Sequence, residues 1–200
     1  MNFNQLEAIQ RAACAGITVG AEYDCASPLK AGVLERLLVG NLADILTITY
    51  DVTNTSIITD IQMKVALPMF AFQGVRSSNV PDISLNADPL GFIHSMDFKV
   101  YEVDAPMKEN LQAMAATKTF CIYQNPNDTS LGDAVFECMG VNSGMEMSTL
   151  SRQPASKDGS YAIQNRTPEL ASETSLPNSF FDTDFATTLA KIDALLVPNI

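Results

Sequence analysis

The chain has 200 residues, enough to bury a sizeable core without metals or disulfides, so one compact domain is expected. Its 23 acidic against 12 basic residues leave a net charge of -11, which argues against a sequence-independent grip on nucleic-acid phosphates. Hydrophobic residues make up 46% and charged residues only 18%, below the roughly 25% usual for soluble domains, and so thinly charged a surface is expected to make extensive contacts with other chains.

The start, Met1-Asn2-Phe3-Asn4, has neither a basic stretch nor an apolar signal core, and no run approaches the roughly 20 apolar residues that span a bilayer. Synthesis and folding in a cytoplasm, with no membrane-spanning segment, are therefore expected. Asn4 followed by Glu7 has the form of a capping box, and Leu6, Ile9 and Ala13 continue along one helical face to Gly16. From Ile17 to Pro28 the alternation is weak and broken by Gly20, so residues 1–31 are read as an N-terminal helix and arm.

Strands are predicted from Val33 to Val39, Ile45 to Tyr50, Ile57 to Leu67 and Met69 to Val75, separated by Gly40-Asn41, Asp51 to Ser56, Pro68 and Gly74. Val33, Leu34, Leu37 and Leu38 also fit the 3.6-residue period, so a helix is the alternative for the first of them. From Ile93 to Val103 the alternation is strict. Met96, Phe98 and Val100 fall on one face, and Ser95, Asp97 and Lys99 on the other. Asp104-Ala105-Pro106 then places a capping carboxylate and a proline ahead of Met107, Leu111 and Met114 at helical spacing. Further strands are predicted from Thr119 to Tyr123, Ala134 to Val141, Met145 to Leu150 and Tyr161 through Asn165, with polar turns at Asn125 to Gly132 and Gly140 to Gly144. After a loop from Pro168 to Asn178, a C-terminal helix over residues 183–196 presents Phe185, Leu189, Ile192 and Leu196 on one face.

The chemistry-bearing residues are few. Cys14, Cys25, Cys121 and Cys138 form no CxxC pair and lie near no histidine in sequence, so they are read as buried free thiols. His94 is the one histidine, which excludes a histidine-rich metal site, and at the start of a strand it is read as a surface or interface residue. Asp182 and Asp184 are a carboxylate pair, but helix capping accounts for them. No phosphate loop or dinucleotide fingerprint occurs, since Gly16 and Gly20 lack the following Lys and Ser or Thr. Asn54, Asn127 and Asn165 match the glycan acceptor pattern and are read as turn or strand residues; Asn125 to Asp133 is read as a turn in preference to a cation loop. No catalytic, cofactor-binding or metal-ligating residue is assigned, and no cofactor. An enzyme is not expected; the competing enzymatic reading is a small β-rich hydrolase using His94 with Cys121 or Cys138.

Three segments carry a resemblance: Ala43-Asp44-Ile45-Leu46-Thr47-Ile48-Thr49-Tyr50-Asp51, the strand and helix from Phe98 to Ala116, and Phe181-Asp182-Thr183-Asp184-Phe185-Ala186-Thr187-Thr188. At the level of pattern, over most of its length, the chain resembles the tail tube proteins of tailed phages. That resemblance implies a mainly β fold with flanking helices (α+β), a β-sandwich or barrel-like tail-tube domain over residues 1–200, and hexameric rings that stack around a β-lined lumen. It implies a virion protein, made in the host cytoplasm, whose partners are its own copies, other tail proteins and DNA passing without specific binding. Six copies at net charge -11 would bring about 66 negative charges to a ring, which suits a conduit that DNA must not stick to. The chain departs from the pattern in lacking an obvious long hairpin for stacking. A tail terminator, head-tail connector or capsid decoration protein is the alternative within the same class.

Overall fold

The computed structural model describes residues 34, 36–74, 78–125, 132–133, 135–154 and 159–196. The predicted N-terminal helix and arm, Cys14, Cys25, Gly16, Gly20 and Asn127 lie outside them. Among the described residues the chain is mostly β, with two sheets and two α-helices, an α+β arrangement.

The larger sheet has seven strands: β1 (Arg36–Asn41), β2 (Ile45–Tyr50), β3 (Ile57–Met63), β4 (Phe70–Gln73), β7 (Thr119–Gln124), β8 (Phe136–Met139) and β11 (Asn178–Phe180). Their spatial order is β2-β3-β11-β8-β7-β1-β4, antiparallel except where β11 runs parallel to β3. The smaller sheet is antiparallel in the order β5-β6-β10-β9, formed by β5 (Val80–Ala87), β6 (Leu90–Val100), β9 (Glu146–Arg152) and β10 (Tyr161–Arg166). Neither sheet closes on itself.

Strand β7 shows why the larger sheet sits in the middle. Its residues alternate between two cores: Cys121 and Tyr123 join the apolar cluster shared with the smaller sheet, while Phe120 and Ile122 join the one beneath the C-terminal helix. A strand with both faces covered reads as a continuous apolar run rather than an alternating one. Neighbouring β1 does the same, with Leu37 and Val39 on one side and Leu38 on the other. That double burial explains why its sequence also fits a helix; the strand lies at Arg36–Asn41, a few residues later than predicted.

The first core is filled from the smaller sheet by Met96, Phe98, Val100 and Ile163, and from helix α1 (Ala105–Ala115) by Leu111 and Met114. The predicted period-two face of β6 is thus the buried one, although the strand runs from Leu90 to Val100 and not from Ile93 to Val103. The start of α1 follows the expectation. Asp104 accepts the Met107 N–H at 3.0 Å, and Pro106 occupies the first turn where no amide is required. Helix α2 (Phe185–Ala194) is capped likewise by Asp184, which accepts the Thr187 N–H at 2.8 Å. It lays Ile192 over the second core, and Phe185 stacks on Phe136 with ring centres 5.6 Å apart.

Two strands were not predicted. Strand β5 contains Pro81 and is exposed along most of its length, as an edge strand tolerates. Strand β11 spans three residues and holds its place through pairing with β3 and β8 from distant parts of the chain. With β5 in place, β5 and β6 form a long hairpin, closed by the Asp88-Pro89 turn with its cis peptide.

Phe98 is fully buried between the sheets with its ring centre 5.4 Å from that of Phe72. Phe98→Ala is expected to lower unfolding stability by about 3–5 kcal/mol in a urea titration, through lost burial and a cavity the two sheets cannot close.

Candidate functional site

The densest polar cluster lies where the two sheets and the segment after β10 meet. His94 lies on the inward face of β6 and is 1% exposed, which corrects its reading as a surface or interface residue. Its Nδ1 accepts the Gly140 N–H at 3.2 Å, and its Nε2 lies 3.0 Å from the Ser175 carbonyl oxygen. With Nδ1 an acceptor, the ring is the neutral tautomer that carries its proton on Nε2 and donates to Ser175. Burial lowers its affinity for a proton, and the opposing pull of Glu173 is the smaller effect.

Glu173 is the residue the sequence reading missed. It is 0% exposed, and its carboxylate accepts the N–H groups of Asn142 at 3.1 Å, Ser143 at 2.9 Å and Gly144 at 3.1 Å. Successive amides converge on one anion because the 140–144 loop curls, with Gly140 at φ 73° and Gly144 at φ 80°. A side chain at Gly144 would also meet Lys118 Cβ at 2.9 Å. The backbone of Glu173 makes a reciprocal pair with Phe92, both bonds 2.8 Å. Glycines at 140 and 144 were legible as a turn; that the turn is an anion cradle depends on a carboxylate some thirty residues downstream.

Most polar groups of this junction are engaged within the chain, the buried Thr167 hydroxyl being an exception. Both His94 nitrogens serve backbone groups, and Ser143 Oγ donates to the Ser172 carbonyl at 3.0 Å. The hydrolase pairing is not what the ring makes, since His94 bonds to Gly140 and Ser175 and to neither cysteine. Cys121 and Cys138 are free and buried, as read; burial pushes the Cys121 thiol up to about 12 and raises that of Cys138. Tyr123, raised chiefly by burial, donates to the Glu137 carboxylate, which also accepts from Asn125 Nδ2 at 2.8 Å.

The remaining candidates disperse. Asp182 pairs with Lys191 Nζ at 2.8 Å while Asp184 caps α2, so the two carboxylates do separate structural work. Asn54 sits in an exposed turn held by the Asp51 carboxylate, and Asn165 is buried on β10 with its Nδ2 3.1 Å from Thr119 Oγ1. A groove of about 170 Å³ between β1, β4 and α1 is lined by Val39, Phe70, Phe72 and Met114 with Asn41 and Asn110, none of which ionises. Among the described residues no group of His, Cys, Asp and Glu could hold a metal ion, and no helix is long and apolar enough to cross a membrane.

The widest feature is a surface. Because Met96, Phe98 and Ile163 point into the core, alternation turns Asp97, Lys99, Gln164, Thr149 and Ser151 to the opposite face of the smaller sheet. Gln164 ties this face together, donating from Nε2 to Asp97 at 2.8 Å and accepting at Oε1 from Ser148 Oγ at 2.8 Å. Neither helix belongs to it. Its outer strands β5 and β9 each have a single partner among the described residues, and exposed Leu85, Leu90 and Leu150 lie on these strands and the hairpin.

Two outcomes follow from the buried groups. Glu173→Gln, which keeps the shape but loses the charge that three amides bind, is expected to cost about 2–4 kcal/mol in thermal or urea unfolding. Cys121 and Cys138 are expected to resist alkylation by iodoacetamide at pH 8 in the folded protein and to react fully in denaturant, read by mass spectrometry. Comparison with protein-family models, with curated proteins and with solved structures found no match to this chain.

Proposed function

We propose that this chain is a virion structural protein whose copies close into rings, six to a ring, and stack into a phage tail tube through which DNA passes. The role is structural rather than catalytic. The observation that carries the reading is the smaller sheet: four strands, mainly apolar on the inner face and mainly polar on the outer, with both edges unpaired among the described residues. Open edges are a hazard that a protein either blunts or uses, and pairing β5 of one copy with β9 of the next removes both edges at once. A closed ring of such sheets would present the face bearing Gln164, Thr149 and Ser151 to its lumen. In this reading the two sheets, sharing one core, are the β-sandwich of a tube subunit.

Two further features support it. The β5–β6 pair is a long hairpin such as the sequence pattern lacked, and its exposed Leu85 and Leu90 would offer apolar surface to a stacked neighbour. By register the outer face carries Lys99 and Arg166 interspersed with Asp82, Asp97 and Glu146, with hydroxyl and amide groups between them. DNA would pass there without being held, because the face lacks the clustered cations that grip phosphate. The partners are then copies of the chain and other tail proteins, and the place of action is the virion tail after synthesis in the host cytoplasm.

Electron microscopy of the concentrated protein tests this: stacked six-fold rings are expected, single rings would instead indicate a terminator or connector, and monomers at all concentrations would refute it. Proline at Leu150 and at Ser151, made separately, adds a second check. In an antiparallel edge strand alternate amides point outward, so one variant should keep its fold and lose assembly while the other loses stability.

A further inference from the structure

We propose that His94, the 140–144 loop and Glu173 form an acid-released latch, in which a proton on His94 frees the loop and the segment carrying residues 172–175 from the end of the intersheet core. The inference is independent of the tail-tube reading. It rests on how the ring is used. His94 Nδ1 is the acceptor for the Gly140 N–H, so a proton can be added there only by breaking that bond. The ring is 1% exposed, so the cation formed would also lack water.

The same ring holds the second segment through Ser175, and Thr167 donates its N–H to the His94 carbonyl at 2.9 Å. The loop and the segment are further joined to each other by the three amide bonds to Glu173, and the segment to β6 by the Phe92–Glu173 pair. Displacing the ring therefore loosens contacts that share one small volume. Elsewhere the cores do not depend on them: Phe120, Ile122 and Phe98 lie among apolar side chains.

The charged and titratable groups that act on the ring are Glu173 on the released segment and Glu137 on β8; Tyr50 interacts with Glu173 and Cys138 with Glu137, and burial disfavours the ionised form of both. Both carboxylates favour the imidazolium, and burial outweighs them. The sign follows. A histidine whose folded affinity for protons is depressed binds them more readily when released, so opening is favoured as pH falls below its ordinary value of about 6.5.

Amide hydrogen exchange of the full chain, corrected for intrinsic rates, tests the latch. As pH falls from about 6.5, the opening constant at Asn142, Ser143, Gly144 and Glu173 is expected to rise about tenfold per pH unit, the slope of one proton. Amides of β7 should stay protected over the same range. His94→Gln, which retains a donor towards Ser175 and cannot take up a proton, should flatten the slope. An unchanged slope in that variant would assign the effect to Glu173 and overturn the proposal, as would a flat wild-type profile or opening of β7 in step with the loop. Should the variant fail to fold, the wild-type imidazole signal decides, since the chain has one histidine. Titration in step with the loss of amide protection supports the latch; protonation with the loop still protected refutes it.

Discussion

Burial of the central strands of the larger sheet on both faces, with the outer strands β2 and β4 left largely exposed, is the constraint from which the rest of the structure follows. Strand β7 must feed two cores in alternation, so every side chain from Phe120 to Tyr123 is apolar or has its polar atom engaged. Polar groups are displaced to the strand ends. Thr119 bonds back to Met145 at 3.1 Å and receives Asn165 at 3.1 Å, and beyond the other end Asn125 reaches Glu137. The same logic places the Glu173 carboxylate and His94 at a sheet end, where a loop supplies the donors that a dry core cannot.

What was legible in the sequence was local. The two-residue period of Met96, Phe98 and Val100 and the caps Asp104 and Asp184 rest on neighbours within four residues, and each is where it was read. The first strand was ambiguous for a physical reason, since covering both faces of β1 erases the alternation that separates strand from helix. Strand β5 was missed although Ile83, Leu85 and Ala87 alternate with Asp82, Ser84 and Asn86, because a proline within a run argues against a central strand and this one is an exposed edge. The polar junction was hidden by separation. His94 meets groups 46 and 81 residues away, so nothing beside it in sequence marks it as buried.

The smaller sheet inverts the constraint. One face is committed to the first core, leaving the other to water or to another copy, and both edges have amides to satisfy. Antiparallel sheets tolerate one wet face, which makes the polar outer surface stable in the single chain as well as in an assembly. The edges are what would distinguish the single chain from the proposed assembly.

Those edges also differ from each other, and the difference bears on symmetry. Strand β5 carries Pro81, which cannot donate to a ladder, whereas β9 from Glu146 to Arg152 contains no proline. Pairing β9 with β9 across a two-fold axis would make a closed dimer and leave β5 bare. Pairing β5 with β9 is head to tail, repeats around an axis and leaves no edge of the smaller sheet open once the rotation closes. Donors near Pro81 would be the weak point of such a seam, so the ladder is best carried by the segment from Asp82 to Ala87. That stretch leads into the hairpin tip, so in the proposed ring the seam and the tip would lie on the same edge strand.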